Sequence, residues 1–140
     1  MTKMSEVISN DHEQSTEATR RVVAALYAAA KASDRAKIVE ILHPDIVLRV
    51  TPSLPNAGVY HGPQNVLEGI AFVLKTFDTS QSTFEEVVVD GQTAVALINL
   101  VFRTGEGGCS VAEVLRVHDS RIIEIRPYFW DTSAIVGAAG

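Results

Sequence analysis

The chain has 140 residues, 46% of them hydrophobic and 21% charged, and a net charge of −5. That describes one ordinary globular domain with a single sizeable core, not a disordered chain. The acidic balance, with no run of Lys or Arg, excludes an electrostatic stripe for nucleic acid or an anionic membrane. The longest apolar run, Val22–Ala30, is far short of a bilayer span.

The polar start (Ser5, Glu6, Asn10, Asp11, Glu13) lacks a signal-peptide core, and the single cysteine, Cys109, leaves no internal disulfide, so a cytoplasmic location is expected. No Cys/His spacing suggests a metal and no Gly-rich loop suggests a phosphate, so no cofactor is expected. Residues 1–14 are expected to be a flexible tail, residues 15–133 one domain, and residues 134–140 a second tail. Asp11 or Ser15 is placed to cap a first helix running to about Ala32, with the apolar stripe Val22, Val23, Leu26, Tyr27 and Ala30. Ser33-Asp34 opens a short second helix, which Pro44 should stop. Asp45–Thr51 reads as a strand, and Pro52–Gly58 as a rigid loop.

Val59-Tyr60-His61 pairs briefly before Gly62-Pro63 opens a third helix, whose stripe includes Val66, Leu67, Ile70, Val73, Leu74 and Phe77. Phe84–Val89 and Ala94–Arg103 flank the hairpin turn signal Asp90-Gly91, and Thr104–Gly108 is a flexible connection. A closing hairpin of two strands follows, broken at His118-Asp119-Ser120. This order predicts an α+β fold in which a curved antiparallel sheet wraps around helices into a cone, with a mouth for a small ligand.

The register of the closing hairpin decides where chemistry can sit. A three-residue turn sets Glu113 opposite Ile125, on a face otherwise made of Val111, Leu115, Val117, Ile123, Ile125 and Phe129. A two-residue turn of Asp119 and Ser120 sets Glu113 opposite Arg126 as a cross-strand ion pair. A one-residue slip turns the whole apolar set outward, so the three-residue turn is favoured. It leaves one carboxyl on an apolar wall.

Several strings resemble the SnoaL-like family of the nuclear-transport-factor-2-like superfamily, which includes ketosteroid isomerase and polyketide cyclases. They are Leu42-His43-Pro44-Asp45-Ile46-Val47, then Ser53-Leu54-Pro55 through Gly58-Val59-Tyr60-His61-Gly62, and the closing Arg121–Asp131. The resemblance implies the cone fold, a hydrophobic pocket, and isomerase, cyclase or dehydratase chemistry on an apolar or polycyclic carbonyl compound. It sets Glu113 at the place of the acid that ketosteroid isomerase keeps neutral in an apolar site. The base of that enzyme falls near Val50 or Thr51, neither of which can abstract a proton. Its phenol falls at Leu26, with Tyr27 turned by about 100° around the helix.

From the residues themselves, Glu113 is a candidate acid because an apolar wall favours the neutral carboxyl. Asp131, on the same side as Ile125 and Phe129, is a candidate base, against the alternative of capping the tail. His61, behind the proline-rich loop, is a candidate proton shuttle, against a plain exposed position. Tyr27, Leu26, Leu48, Val50, Tyr60, Ile70, Leu115, Ile125 and Phe129 are the expected substrate-binding residues. Tyr128, Trp130 and Val114 share the other sheet face, an apolar patch that predicts a homodimer. Two rival readings remain: a non-catalytic binding protein with the same pocket, and a dimerisation module with a filled cone.

Overall fold

The first helix, α1, spans Met4–Lys31 in a computed structural model that describes residues 4–139, the side chains of residues 5–9 excepted. Residues 4–14 are therefore helical and not a tail. No Pro or Gly interrupts the stretch, so nothing halts the helix short of its N-terminal end. Residues 1–3 of the expected tail lie outside the described residues.

The short α2 (Arg35–Ile41) is capped by Asp34, whose side chain accepts from the Lys37 backbone N–H at 3.1 Å. It buries Ile38 and Ile41 and gives way at once to β1 (Leu42–Val50). Pro44 falls inside that strand rather than at a helix end. It lies where the pairing of β1 shifts between Leu42 and Val47, a place where a missing N–H is tolerated. A proline-bearing loop leads to β2 (Gly58–His61) and α3 (Pro63–Thr76), with Pro63 in the first turn as expected. A 3₁₀ turn (Thr79–Gln81) precedes β3 (Thr83–Asp90), β4 (Thr93–Val101), β5 (Gly108–His118) and β6 (Arg121–Phe129). The described residues end in α4 (Thr132–Ala139), which stands where residues 134–139 of the C-terminal tail were expected, while Gly140 lies outside the described residues; fully buried Ile135 docks the helix on the core.

The six strands form one sheet in the order β2-β1-β6-β5-β4-β3. Every pair is antiparallel except β1 with β6, which run parallel, so the sheet is mixed rather than purely antiparallel. β1 joins the sheet beside the last strand of the chain, and no local signal marks so distant a pairing. The alternation of β4 is strict: Ala94, Ala96, Ile98 and Leu100 are buried on the helix-covered face, where the core also takes Val23, Leu26 and Val66.

The closing hairpin combines both readings of its sequence. Its turn has two residues: Asp119 and Ser120, at φ 51° and 60°, join His118 to its partner Arg121. Positive φ at both central positions gives the twist that suits a tight hairpin. One residue, Ile123, is then extra, because Val117 pairs with Ile122 while Arg116 pairs with Glu124. The bulge restores the parity that the short turn would have reversed. Glu113 therefore stays on the inner face with Leu115 and Ile125, while Arg116 and Arg126 face outward. Its partner is Pro127, neither Ile125 nor Arg126, and Ile122 instead of Ile123 takes the buried inner position.

Candidate functional site

Between the inner sheet face and the helices lies a cavity of about 110 Å³. Leu26 of α1, Leu48 and Val50 of β1, Ile70 and Phe72 of α3, Ile98 of β4, and Ile125 and Phe129 of β6 form its apolar wall. An engineered apolar cavity of about 150 Å³ holds benzene, so this one suits a ligand of roughly one ring. Two polar side chains meet in that wall. The Tyr27 hydroxyl donates to Glu113 Oε1 at 2.8 Å, from α1 to β5 across 86 positions of sequence.

Strand alternation places Glu113: it is opposite Ala96 on β4 and Pro127 on β6, so its face is set by apolar neighbours on both sides. Tyr27 stands one residue past Leu26, the buried centre of the α1 stripe, at the edge where the helix crosses the sheet. Its long side chain spans the turn of about 100° that separates neighbouring helix positions and reaches Glu113. The ring rests on Phe84, with centroids 4.9 Å apart and planes tilted by 60°. Phe84 owes its inward position to another bulge: it pairs with Ile98 and Glu86 pairs with Leu97, which leaves Glu85 extra.

Burial pushes the Glu113 carboxyl above its ordinary range, and the Tyr27 hydrogen bond pulls it back in part. Tyr27 is pushed up as well, first by burial and then by the nearby carboxyl, so the phenol stays protonated and acts as a donor. The pair thus comprises a fixed O–H donor and a carboxyl whose other oxygen is unclaimed by any hydrogen bond among the described residues.

Of the other expected site residues, Leu26, Leu48, Val50, Ile70, Ile125 and Phe129 do line the cavity. Leu115 is fully buried and lies outside the wall. Tyr60 supports the wall from behind, donating its hydroxyl to the Asn56 carbonyl at 2.6 Å. Asp131 and His61 are not brought to the cavity. Asp131 caps α4, accepting from Ser133 Oγ at 2.7 Å and the Ala134 N–H at 3.1 Å, and those bonds hold its carboxyl below the usual range. His61 is exposed at the end of β2, and its carbonyl accepts from Asn65 Nδ2. Sequence reasoning missed Asn56, Phe84, Thr79, Ser82 and Lys31, which also border the cavity. None of them carried a local signal in the sequence.

The fold is that of nuclear-transport-factor-2-like proteins. The structure is similar to an NTF2-like protein from Burkholderia xenovorans, with a TM-score of 0.71 at 17% identity, covering 89% of this chain and 98% of the other. It is similar also to a steroid delta-isomerase from Pseudomonas aeruginosa (TM-score 0.70, 21% identity, 88% and 86% covered). A third likeness is to Bal32a, from a soil-derived mobile gene cassette (TM-score 0.74, 15% identity, 90% and 99% covered). Identities this low speak for the fold alone. No curated protein matches the sequence. The sequence itself matches the SnoaL-like domain over residues 23–125, and the chain belongs to that family. No helix among the described residues is long and apolar enough to cross a membrane.

Proposed function

We propose that this protein binds a small apolar carbonyl compound and moves a proton on it, as an isomerase-type enzyme. The observation that carries the reading is the Tyr27–Glu113 hydrogen bond set in a largely apolar wall. Neutral Glu113 donates from its free oxygen to the ligand carbonyl and stabilises the charge that develops there. Once that proton has gone, the carboxylate is held by the Tyr27 hydroxyl and takes a proton from the carbon next to the carbonyl. The proton lost to oxygen is regained from carbon, so one carboxyl serves both halves of a keto–enol interchange. The cavity volume favours a one-ring compound over the polycyclic one that the resemblance implies.

Exchange of the methyl hydrogens of acetophenone with deuterated water tests this. Wild-type protein should catalyse it, and Glu113→Gln should lower the rate by about 10²–10⁴-fold, the usual worth of a positioned acid or base. Equal exchange by both proteins would remove the catalytic role. A second reading, a binding protein without turnover, is favoured because Glu113 is the one carboxyl, with no imidazole beside it, that the described residues bring to the cavity wall. It expects carbonyl binding that depends on Glu113 and no exchange at all.

The proposal extends to a homodimer through the outer sheet face. Tyr128 is 54% exposed, Trp130 87% and Val88 50%, and no helix among the described residues covers them. Sedimentation should give twice the monomer mass at micromolar concentration, and Tyr128→Arg should shift it toward monomer. A monomeric wild type would end the dimer proposal.

A further inference from the structure

Asn56 sits in the cavity wall with one polar atom unaccounted for. Its Nδ2 donates to the Gly69 carbonyl at 3.3 Å, and the reverse orientation would set two acceptor oxygens against each other. That leaves Oδ1 out of solvent with no donor among the described residues. The residue is held in place from several sides. Tyr60 anchors its carbonyl at 2.6 Å, and buried Leu54 pins the loop between Pro52 and Pro55. A Cβ on Gly69 would come within 2.6 Å of Leu48 Cδ2, so a larger residue there would displace that side chain. A buried acceptor in so fixed a setting requires a donor.

Its position is set apart from Glu113. Leu48 pairs with Ile125, and two residues further along these parallel strands come Val50 and Pro127, the latter opposite Glu113. The loop that carries Asn56 leaves β1 just after Val50, two strands from Glu113, which is roughly 10 Å at the usual strand spacing. The wall between is apolar.

We infer that Asn56 Oδ1 accepts a hydrogen bond from a ligand hydroxyl or N–H, so that the cavity selects a one-ring compound with a carbonyl at one end and a donor at the other. Asn56 is on this view a specificity-determining residue. Only the carbonyl end of the ligand rests on the function proposed above; the donor end rests on Asn56 alone.

Four probes separate the two ends by titration followed by NMR or calorimetry: ethylbenzene, acetophenone, 4-ethylphenol and 4-hydroxyacetophenone. For the wild type, each hydroxylated member should bind at least about tenfold tighter than its parent, one hydrogen bond being worth that much. Asn56→Leu should erase this gain, so that each phenol binds no tighter than its own parent. If the Leu variant fails to fold, 4-fluoroacetophenone against the wild type decides: its fluorine is close to a hydroxyl in size, has no proton to donate and should lose the gain.

Equal binding of 4-ethylphenol and ethylbenzene, no saturable binding of any phenol, or a hydroxyl gain that survives Asn56→Leu overturns the inference. Failure of the carbonyl reading shows separately, as equal binding of acetophenone and ethylbenzene.

Discussion

Glu113 and Glu124 stand on the two strands of one hairpin and on opposite faces of one sheet, and their surroundings differ in nearly every respect. Glu124 faces outward into three arginines: Arg116 Nε at 3.0 Å, Arg49 Nε at 3.5 Å and Arg126 Nη2 at 3.5 Å. Its side chain is 17% exposed, and cations from three different strands neutralise it. Glu113 faces inward, has no cation, and has a phenol as its one partner. Ion pairing occupies the oxygens of the outer carboxyl, whereas burial favours the protonated form of the inner one and leaves it chemically available. A single bulged residue, Ile123, keeps the two glutamates on their separate faces.

The largest expected effect contrasts the two directly. Glu113→Gln should lower acetophenone exchange by about 10²–10⁴-fold, while Glu124→Gln should change it by less than about twofold, since the outer carboxyl reaches no substrate. A comparable loss in both variants would mean that the rate depends on sheet integrity and not on a placed acid.

Stability should show the reverse order. Glu124→Gln leaves three arginines without their shared partner and should cost about 1–2 kcal/mol, between the worth of exposed and buried ion pairs. Glu113→Gln should cost less or stabilise slightly near neutral pH, because it replaces a carboxyl that burial disfavours when charged. The pH dependence sharpens this. Glu113 has a folded pKa above its unfolded one, so its contribution to stability is fully present below the unfolded value and is lost as pH rises through the folded one. Thermal melts should therefore show a decline in that window for the wild type and none for Glu113→Gln. Parallel curves for the two would break the comparison.

The inner face was legible because strand alternation survives a wrong turn length. Val111, Glu113 and Leu115 share a face whatever follows His118, and β4 repeats the pattern across from them. What failed depended on information that alternation does not carry. Leu26 and Tyr27 are neighbours on one helix, and which of them reaches the sheet depends on how α1 crosses it. Asp131 shares parity with Phe129 only if β6 continues, but Ser133 and Ala134 turn the chain into α4 and claim its carboxyl. The parallel β1–β6 pair joins residues some eighty positions apart, with no turn between them to announce it. Asn56 emerged only from the count of hydrogen-bond partners, which requires coordinates.

The smallest effect separates a tuned acid from a merely packed one. The Tyr27 hydrogen bond lowers the Glu113 pKa against the larger upward push of burial. Tyr27→Phe removes that bond and keeps the ring against Phe84, so the carboxyl should titrate at higher pH still. Stability should fall by about 1 kcal/mol where the carboxyl is charged and by less where it is neutral, because the hydroxyl serves the charged form better. Exchange should drop less than in Glu113→Gln, and its midpoint in pH should move upward. A packing role predicts something else: a uniform loss of stability with the midpoint unmoved. Following exchange against pH in the two proteins distinguishes these outcomes. A midpoint that stays put or moves down on loss of the hydroxyl would mean that Tyr27 positions Glu113 without tuning it, and the inner glutamate would then owe its availability to burial alone.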